Sequence, residues 1–407
     1  MSTMLLLLGV VAGAYLLTHF VVERAQRTFL FVSGIEYLVL GVALGPHVVP
    51  EVAPLADLNR LGPVFAFAAG WLGLLYGLEL QVIGRPRPTE AGPPLLRVAR
   101  IGLVDAATSG AALTLAAAGW LSWTGQPASQ VWPTAAFLGC AAAAGSGSAV
   151  DVLRSRYPEL PSQLLPLLGR VGRLGDLLAV VAFGFVFCVF HVGGTRTAEP
   201  IGPREWALLT VGMGLVLGAL FFSFVGDDQT ENNVFLAMVG ILLFSSGAAF
   251  FLHLPALTVN LVLGAFLAQT RTGPRIRTEL VRTAKPASLV LLLFAGSQWR
   301  PVPLDQALLA VVGFVGVRAL AKTLAAAVST VGTPFGAGTS RGMLGQGEVT
   351  VAMALAFRLV YDGPAVDVAY TAVLGGLIVH DFVGPRLLRA LLVDSGEIRE
   401  ELGRVPR

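Results

Sequence analysis

A chain of 407 residues that is 55% hydrophobic and only 13% charged lacks the polar surface of a soluble globule, in which about a quarter of residues are charged. Mean hydropathy is +0.74, and the apolar residues cluster in runs of about 20, the helix length that crosses a bilayer. A formal charge of +3 with no basic cluster argues against a nucleic-acid partner.

Helices satisfy their own backbone groups, as hydrocarbon requires, and the alternating segments of a membrane β-barrel are missing from the sequence. The expected fold is therefore an all-α polytopic membrane protein. In chain order the pattern predicts about 13 spans, near 4–22, 31–50, 60–83, 95–121, 132–153, 162–192, 205–226, 232–252, 255–270, 279–298, 304–330, 341–361 and 366–391. No basic residue precedes the first span, so it is read as a retained helix rather than a cleaved signal. Cys140 and Cys188 fall inside apolar runs and are read as small buried residues. The links are short and carry Gly, Pro or charge, as in Gly84-Arg85-Pro86-Arg87-Pro88 and Arg271-Thr272-Gly273-Pro274. The expected organisation is one transmembrane domain over 1–393, with repeat one at 1–193, a linker helix at 204–226 and repeat two at 232–393. A short tail, 394–407, is too small to fold alone.

Basic residues favour the cytoplasmic side. Alternate links carry Arg24 and Arg27, Arg85 and Arg87, Arg154 and Arg156, then Arg271, Arg275 and Arg277, and then Arg341. The expected orientation puts the N-terminus outside and the C-terminus inside, in a bacterial inner membrane.

Two spans are interrupted. The fifth runs through Gly145-Ser146-Gly147-Ser148, and the twelfth through Gly342-Met343-Leu344-Gly345-Gln346-Gly347-Glu348. Each glycine weakens a helix by about 1 kcal/mol relative to alanine. Paired interruptions at matching places in two halves are a sequence pointer to a transporter binding site; close helix packing by small residues is the structural alternative.

Ionisable residues inside spans mark the candidate site. Asp176 lies in the sixth span, where a carboxylate costs about 2.5–3.5 kcal/mol on insertion scales and needs a partner, water or a proton. A structural ion pair with Arg173 or Arg170 is the alternative reading. Arg318 and Lys322, four residues apart on one face of the eleventh span, are counter-charges for Asp176, Glu348 or the ends of the interrupted helices. Asp105, in the fourth span, either pairs with a basic residue or is structural. Glu79 and His380-Asp381 are placed at water-accessible inner ends, and His253 at the surface.

Several stretches resemble the cation:proton antiporter superfamily, on the branch of the potassium efflux systems and bacterial sodium/proton exchangers. They are Tyr37–Pro46, ending Leu44-Gly45-Pro46; Gly77-Leu78-Glu79-Leu80; Leu263-Gly264-Ala265-Phe266-Leu267-Ala268; and Gly345-Gln346-Gly347-Glu348. They run in the family's order along nearly the whole chain. The resemblance implies about 13 helices in two inverted repeats with crossed broken helices, and a homodimer. It also implies that Asp176 is the ion-binding aspartate. The family usually places Asn, Asp or Gln before that aspartate, where this chain has Gly175, and its first broken helix often carries other polar residues than Gly145–Ser148.

The function expected is exchange of sodium or potassium for protons by alternating access. Asp176 would alternately hold a cation and a proton, and Ser146, Ser148 and freed backbone carbonyls would complete an oxygen shell suited to hard alkali ions. Glu348, Lys322, Arg318 and Asp105 would balance charge at the helix crossing. No cofactor, and no enzyme, is expected. Two alternatives remain: a symporter of organic anions, and a non-transporting sensor or assembly module.

Overall fold

The computed structural model describes residues 34–48, 61–81, 93–157, 160, 162–192, 201–225 and 231–398. Among them the chain is helical throughout: α1 (Ile35–Leu44), α2 (Gly62–Leu78), α3 (Leu95–Trp123), α4 (Ala128–Ala143), α5 (Ser148–Arg156), α6 (Leu164–Val189) and α7 (Pro203–Val225). There follow α8 (Glu231–Phe251), α9 (Ala256–Leu267), α10 (Gly273–Ser297), α11 (Leu304–Ser329), a 3-10 turn (Ala337–Thr339), α12 (Ser340–Met343), α13 (Glu348–Val360) and α14 (Pro364–Asp394). Every predicted span but the first carries one of these helices. The span 4–22, the links at Arg24–Arg27 and Arg85–Pro88, and the end of the tail lie outside the described residues.

Seven of the described helices are long and apolar enough to cross a membrane by themselves, and the bent pair formed by Ala337–Met343 and Glu348–Val360 makes an eighth. Proline punctuates the chain where helices begin: Pro94, Pro127, Pro255 and Pro303 stand immediately before α3, α4, α9 and α11. A helix start tolerates proline because the missing N–H has no intrahelical partner there.

The helices pack in two groups. In one, α3 lies on α4 and α11, α6 packs on α3 and α4, and α14 on α11, α4 and α5. In the other, α2 lies along α9, α1 along α10, and α7 and α8 cover α9. Both groups draw on both halves of the sequence. Within the first, the order long helix, interrupted pair, long helix occurs twice, as α3–α4/α5–α6 and as α11–α12/α13–α14.

Close backbone approach fixes the second group. A Cβ on Gly264 would fall 2.3 Å from the carbonyl oxygen of Leu74, and one on Gly77 would fall 2.3 Å from that of Leu261. The Gly-Leu-Glu and Gly-Ala-Phe-Leu stretches singled out in the sequence are therefore the two sides of one tight α2–α9 seam, of the small-residue kind that drives helix association in lipid.

An aromatic seam joins α4 to α13: Phe137 and Phe357 stack at 4.4 Å, and Phe357 stacks on Tyr361 at 4.4 Å. At the C-terminal end, the Glu397 carboxylate receives the backbone N–H groups of Gln163 (3.0 Å) and Leu164 (3.3 Å), together with the Ser162 hydroxyl. A carboxylate at the positive end of α6 favours this docking, and it anchors the helix that carries Asp176.

Candidate functional site

The two interruptions meet. The chain leaves α4 at Ala143 and re-enters helix at Ser148; it leaves α12 at Met343 and re-enters at Glu348, turning by 60°. A Cβ on Gly345 would lie 3.0 Å from the Ser146 carbonyl oxygen, and one on Gly347 would lie 2.8 Å from the Ser146 hydroxyl oxygen. The glycines are there because backbone crosses backbone.

Each interruption exposes the carbonyls of a helix C-terminus, which carry partial negative charge and need donors. Arg318 on α11 supplies them. Its Nε donates to Ala142 O (3.2 Å), its Nη2 to Ala144 O (2.8 Å) and Gly345 O (2.8 Å), and its Nη1 to Leu344 O (2.6 Å). Nη1 also approaches His380 Nε2 at 3.3 Å. One planar cation thus ties both C-terminal ends together, a task that suits guanidinium geometry. His380 Nδ1 lies 2.7 Å from Gly376 O and 3.2 Å from Gln346 Oε1, so it is the donor nitrogen, and Nε2 accepts from Arg318. Gln346 in turn donates through Nε2 to Val373 O at 3.2 Å.

One turn further along α11, Lys322 donates to Asp105 Oδ2 at 2.6 Å, with both side chains almost wholly buried. Arg318 and Lys322 share a helix face, as the sequence predicts, but serve different partners. Neither forms an ion pair with Asp176 or Glu348.

The opposite ends of the interrupted helices, the N-termini of α5 and α13, border a cavity of about 180 Å³. Ser146, Asp176 and Glu348 line it. Asp176, 2% exposed, keeps Oδ1 buried without a hydrogen-bond partner. The alternative of a structural ion pair with Arg173 or Arg170 is not what the fold builds. Arg173 Nε instead faces Glu79 Oε2 at 3.6 Å, Arg277 approaches the same carboxylate at 3.4 Å, and Arg170 donates to Pro93 O at 2.8 Å. Ser148 opens α5, and its side chain is outside the described residues.

The sequence reading did not place Glu79, Asp151, Gln346 or Asp381 in this cavity, and all four line it. His380 and Asp381, expected at a water-accessible end, are 4% and 7% exposed. Asp151 stands in the first turn of α5. The available signal was depth: the span predicted over 366–391 already places His380 near its middle.

Gly175 has a steric reason. A Cβ there would sit 3.2 Å from Gly145 N and 3.3 Å from Ala143 O, and one on Gly145 would sit 2.8 Å from Gly172 Cα. α6 presses its Gly172 and Gly175 face onto the first interruption, and Asp176 follows that face into the cavity.

No family model matches the chain, and no curated protein matches it. Solved structures do. The structure of the sodium proton antiporter MjNhaP1 from Methanocaldococcus jannaschii at pH 8 matches with a TM-score of 0.60 and 15% identity, over 99% of this chain and 100% of that one. An electron microscopy map of MjNhaP1 matches with a TM-score of 0.60 and 16% identity, over 98% of both chains. At this identity the likeness is one of architecture, and it runs the whole length: the chain has the fold of the sodium proton antiporter MjNhaP1.

Proposed function

We propose that this membrane protein exchanges a monovalent cation, sodium or potassium, for protons. The observation that carries the reading is the unpaired Asp176 Oδ1, buried beside a cavity between the N-terminal ends of two interrupted helices. A carboxylate at that depth without an ion-pair partner holds either a proton or a cation. Either one neutralises it, so the two compete for one site, and competition is what couples their movements. Ser146, at the crossing, adds oxygen to a hard-oxygen environment for an alkali ion. Glu348, at the start of α13, adds negative charge to the cavity.

Arg318, Lys322 and Asp105 have a supporting part. The guanidinium neutralises the helix C-termini and the ammonium neutralises Asp105, so the crossing can stay buried while Asp176 changes occupant. Alternating access follows as a movement of the group containing α3–α6 and α11–α14 against the other group. The fold similarity to MjNhaP1 supports the exchange reading. A homodimer in a bacterial inner membrane, with the N-terminus outside, belongs to the same proposal.

The organic-anion alternative is disfavoured by the lining itself. Glu79, Asp151, Asp176, Glu348 and Asp381 face the cavity, and its one basic residue, Arg173, is engaged by Glu79. A sensor without transport would show no cation-driven proton flux. The deciding experiment is dequenching of a pH-sensitive dye in proteoliposomes with each alkali cation over a pH range. The wild type exchanges, and Asp176→Asn, which neither titrates nor carries charge, is monodisperse and inactive. Exchange at the wild-type rate by that variant removes Asp176 as the site.

A further inference from the structure

The cavity contains a second carboxylate to which the exchange reading gives no role. Asp381 on α14 is 7% exposed and lines the same space as Asp176. No described cation forms an ion pair with it, and the charges that act on it most are themselves acidic: Glu348 on α13 and Glu36 on α1. Its neighbour His380 is turned away toward Arg318 and Gln346. Glu36 offers no compensation, since its Oε2 accepts the Gly34 N–H at 3.0 Å while Oε1 is buried without a partner.

The other titratable groups facing the cavity are already compensated or lie toward its edges. Glu79 is held by Arg173 and Arg277. Glu348 has the Ser288 hydroxyl and Lys285 of α10 near it, and it sits on the positive end of α13. Asp151 lies in the first turn of α5 with Arg173 and Arg154 acting on it. Tyr76 of α2 completes the lining. Two carboxylates of the cavity are left without an ion-pair partner among the described residues, Asp176 on α6 and Asp381 on α14. Each stands on the long helix that follows an interrupted pair.

We infer that Asp381 is a second proton-carrying carboxylate of the cycle, so that one monovalent cation entering the cavity displaces two protons, one from Asp176 and one from Asp381. The inference rests on the exchange reading. In the unloaded cavity both carboxyls are neutral acids. When the cation arrives, both O–H bonds break, two protons leave to water, and two carboxylates face one positive ion. The two carboxyls go from neutral to one net negative charge with the bound ion, and two positive charges depart, which balances the single charge that entered. On the other side of the membrane the steps reverse. One net charge crosses per cycle, so transport responds to voltage.

The test counts protons. Purified protein in weak buffer is titrated with sodium or potassium chloride; calorimetry gives the cations bound and a pH dye gives the protons released. The wild type releases two protons per cation. Asp381→Asn, with a melting temperature matched to the wild type, releases half as many, and Asp381→Glu restores two. In proteoliposomes the wild-type rate changes with a clamped membrane potential, and Asp381→Asn loses that dependence. Release of one proton by the wild type overturns the inference whether or not the Asn variant folds, as does an unchanged count in Asp381→Asn. Either result leaves the exchange reading standing. A stable wild type that binds no alkali cation and drives no flux defeats the exchange reading and this inference with it.

Discussion

Replacing Arg318 with lysine separates what a positive charge does at the helix crossing from what a guanidinium does there. Arg318 has no exposed surface, and its nitrogens reach the carbonyls of Ala142, Ala144, Leu344 and Gly345, two on each interruption. A lysine ammonium concentrates its donors at one point and cannot span both chain segments, so the pair of carbonyls on one of them loses its donors. Each buried group left unsatisfied costs about 1–3 kcal/mol, which puts Arg318→Lys at about 2–6 kcal/mol. That is a large share of a total stability of about 5–15 kcal/mol. At about 2–4 °C per kcal/mol for a large domain, thermal unfolding in detergent, followed by tryptophan fluorescence, falls by at least about 4 °C. Arg318→Ala falls further, since the charge goes with the donors. Arg282→Lys is the control: that side chain is 70% exposed and pairs with Glu279 one turn away, so it moves little. An Arg318→Lys protein that melts within about 1 °C of wild type, as the control does, refutes the assignment of Arg318 as the tie between the interruptions.

Asp105→Asn leaves the Lys322 ammonium buried without its carboxylate and is expected to cost about 3–5 kcal/mol, whereas Asp105→Asn combined with Lys322→Met recovers most of the loss; equal losses in the single and double variants would sever the pair. Gly175→Asn pushes a side chain toward Gly145 N and Ala143 O, 3.2 and 3.3 Å from the Cβ position, and should lower stability by about 1–3 kcal/mol through overpacking; a stabilised variant would show that α6 has room to withdraw. Cysteine placed at Thr124 should react with impermeant maleimide from outside and cysteine at Ser395 only from inside, and the reverse pattern would invert the orientation. Asp362, in the link between α13 and α14, is pushed up by partial burial but pulled down more strongly by Arg300, Arg358 and the Gly363 N–H, so its carboxyl stays below the usual range. Its contribution is therefore present above the unfolded value of about 3.9 and fades as pH falls through the lower folded value; Asp362→Asn should flatten the acid limb of a melting-temperature profile below about pH 4, and an unchanged limb would deny it that part.

Much of the site is legible in the sequence because glycine has a physical meaning there. Gly145, Gly345 and Gly347 break helical runs that alanine would have continued, and a Cβ on each would press on Gly172 or Ser146 at the crossing. Asp176 stands out because a carboxylate in an apolar run costs too much to be idle. The i, i+4 spacing correctly puts Arg318 and Lys322 on one face. What spacing cannot give is the partner. One helical turn separates the two side chains by about 5.4 Å, enough for one to reach the carbonyls of two interrupted helices and the other to reach Asp105 across α3.

Asp381 shows where the one-dimensional reading stops and why. Position along α14 places it at membrane depth, but depth alone does not distinguish a paired structural carboxylate from an unpaired one. That distinction depends on what the neighbouring helices present, and they present Glu348 and Glu36 rather than a cation. Gly175 makes the same point from the other side. Read alone, it looks like the loss of a polar residue from the site. In the fold it is a contact surface, because α6 can bring Asp176 to the cavity only by pressing Gly172 and Gly175 against the first interruption. A side chain at 175 would meet backbone rather than an ion. The second proton-carrying carboxylate inferred above therefore stands on another helix, α14, at the same cavity.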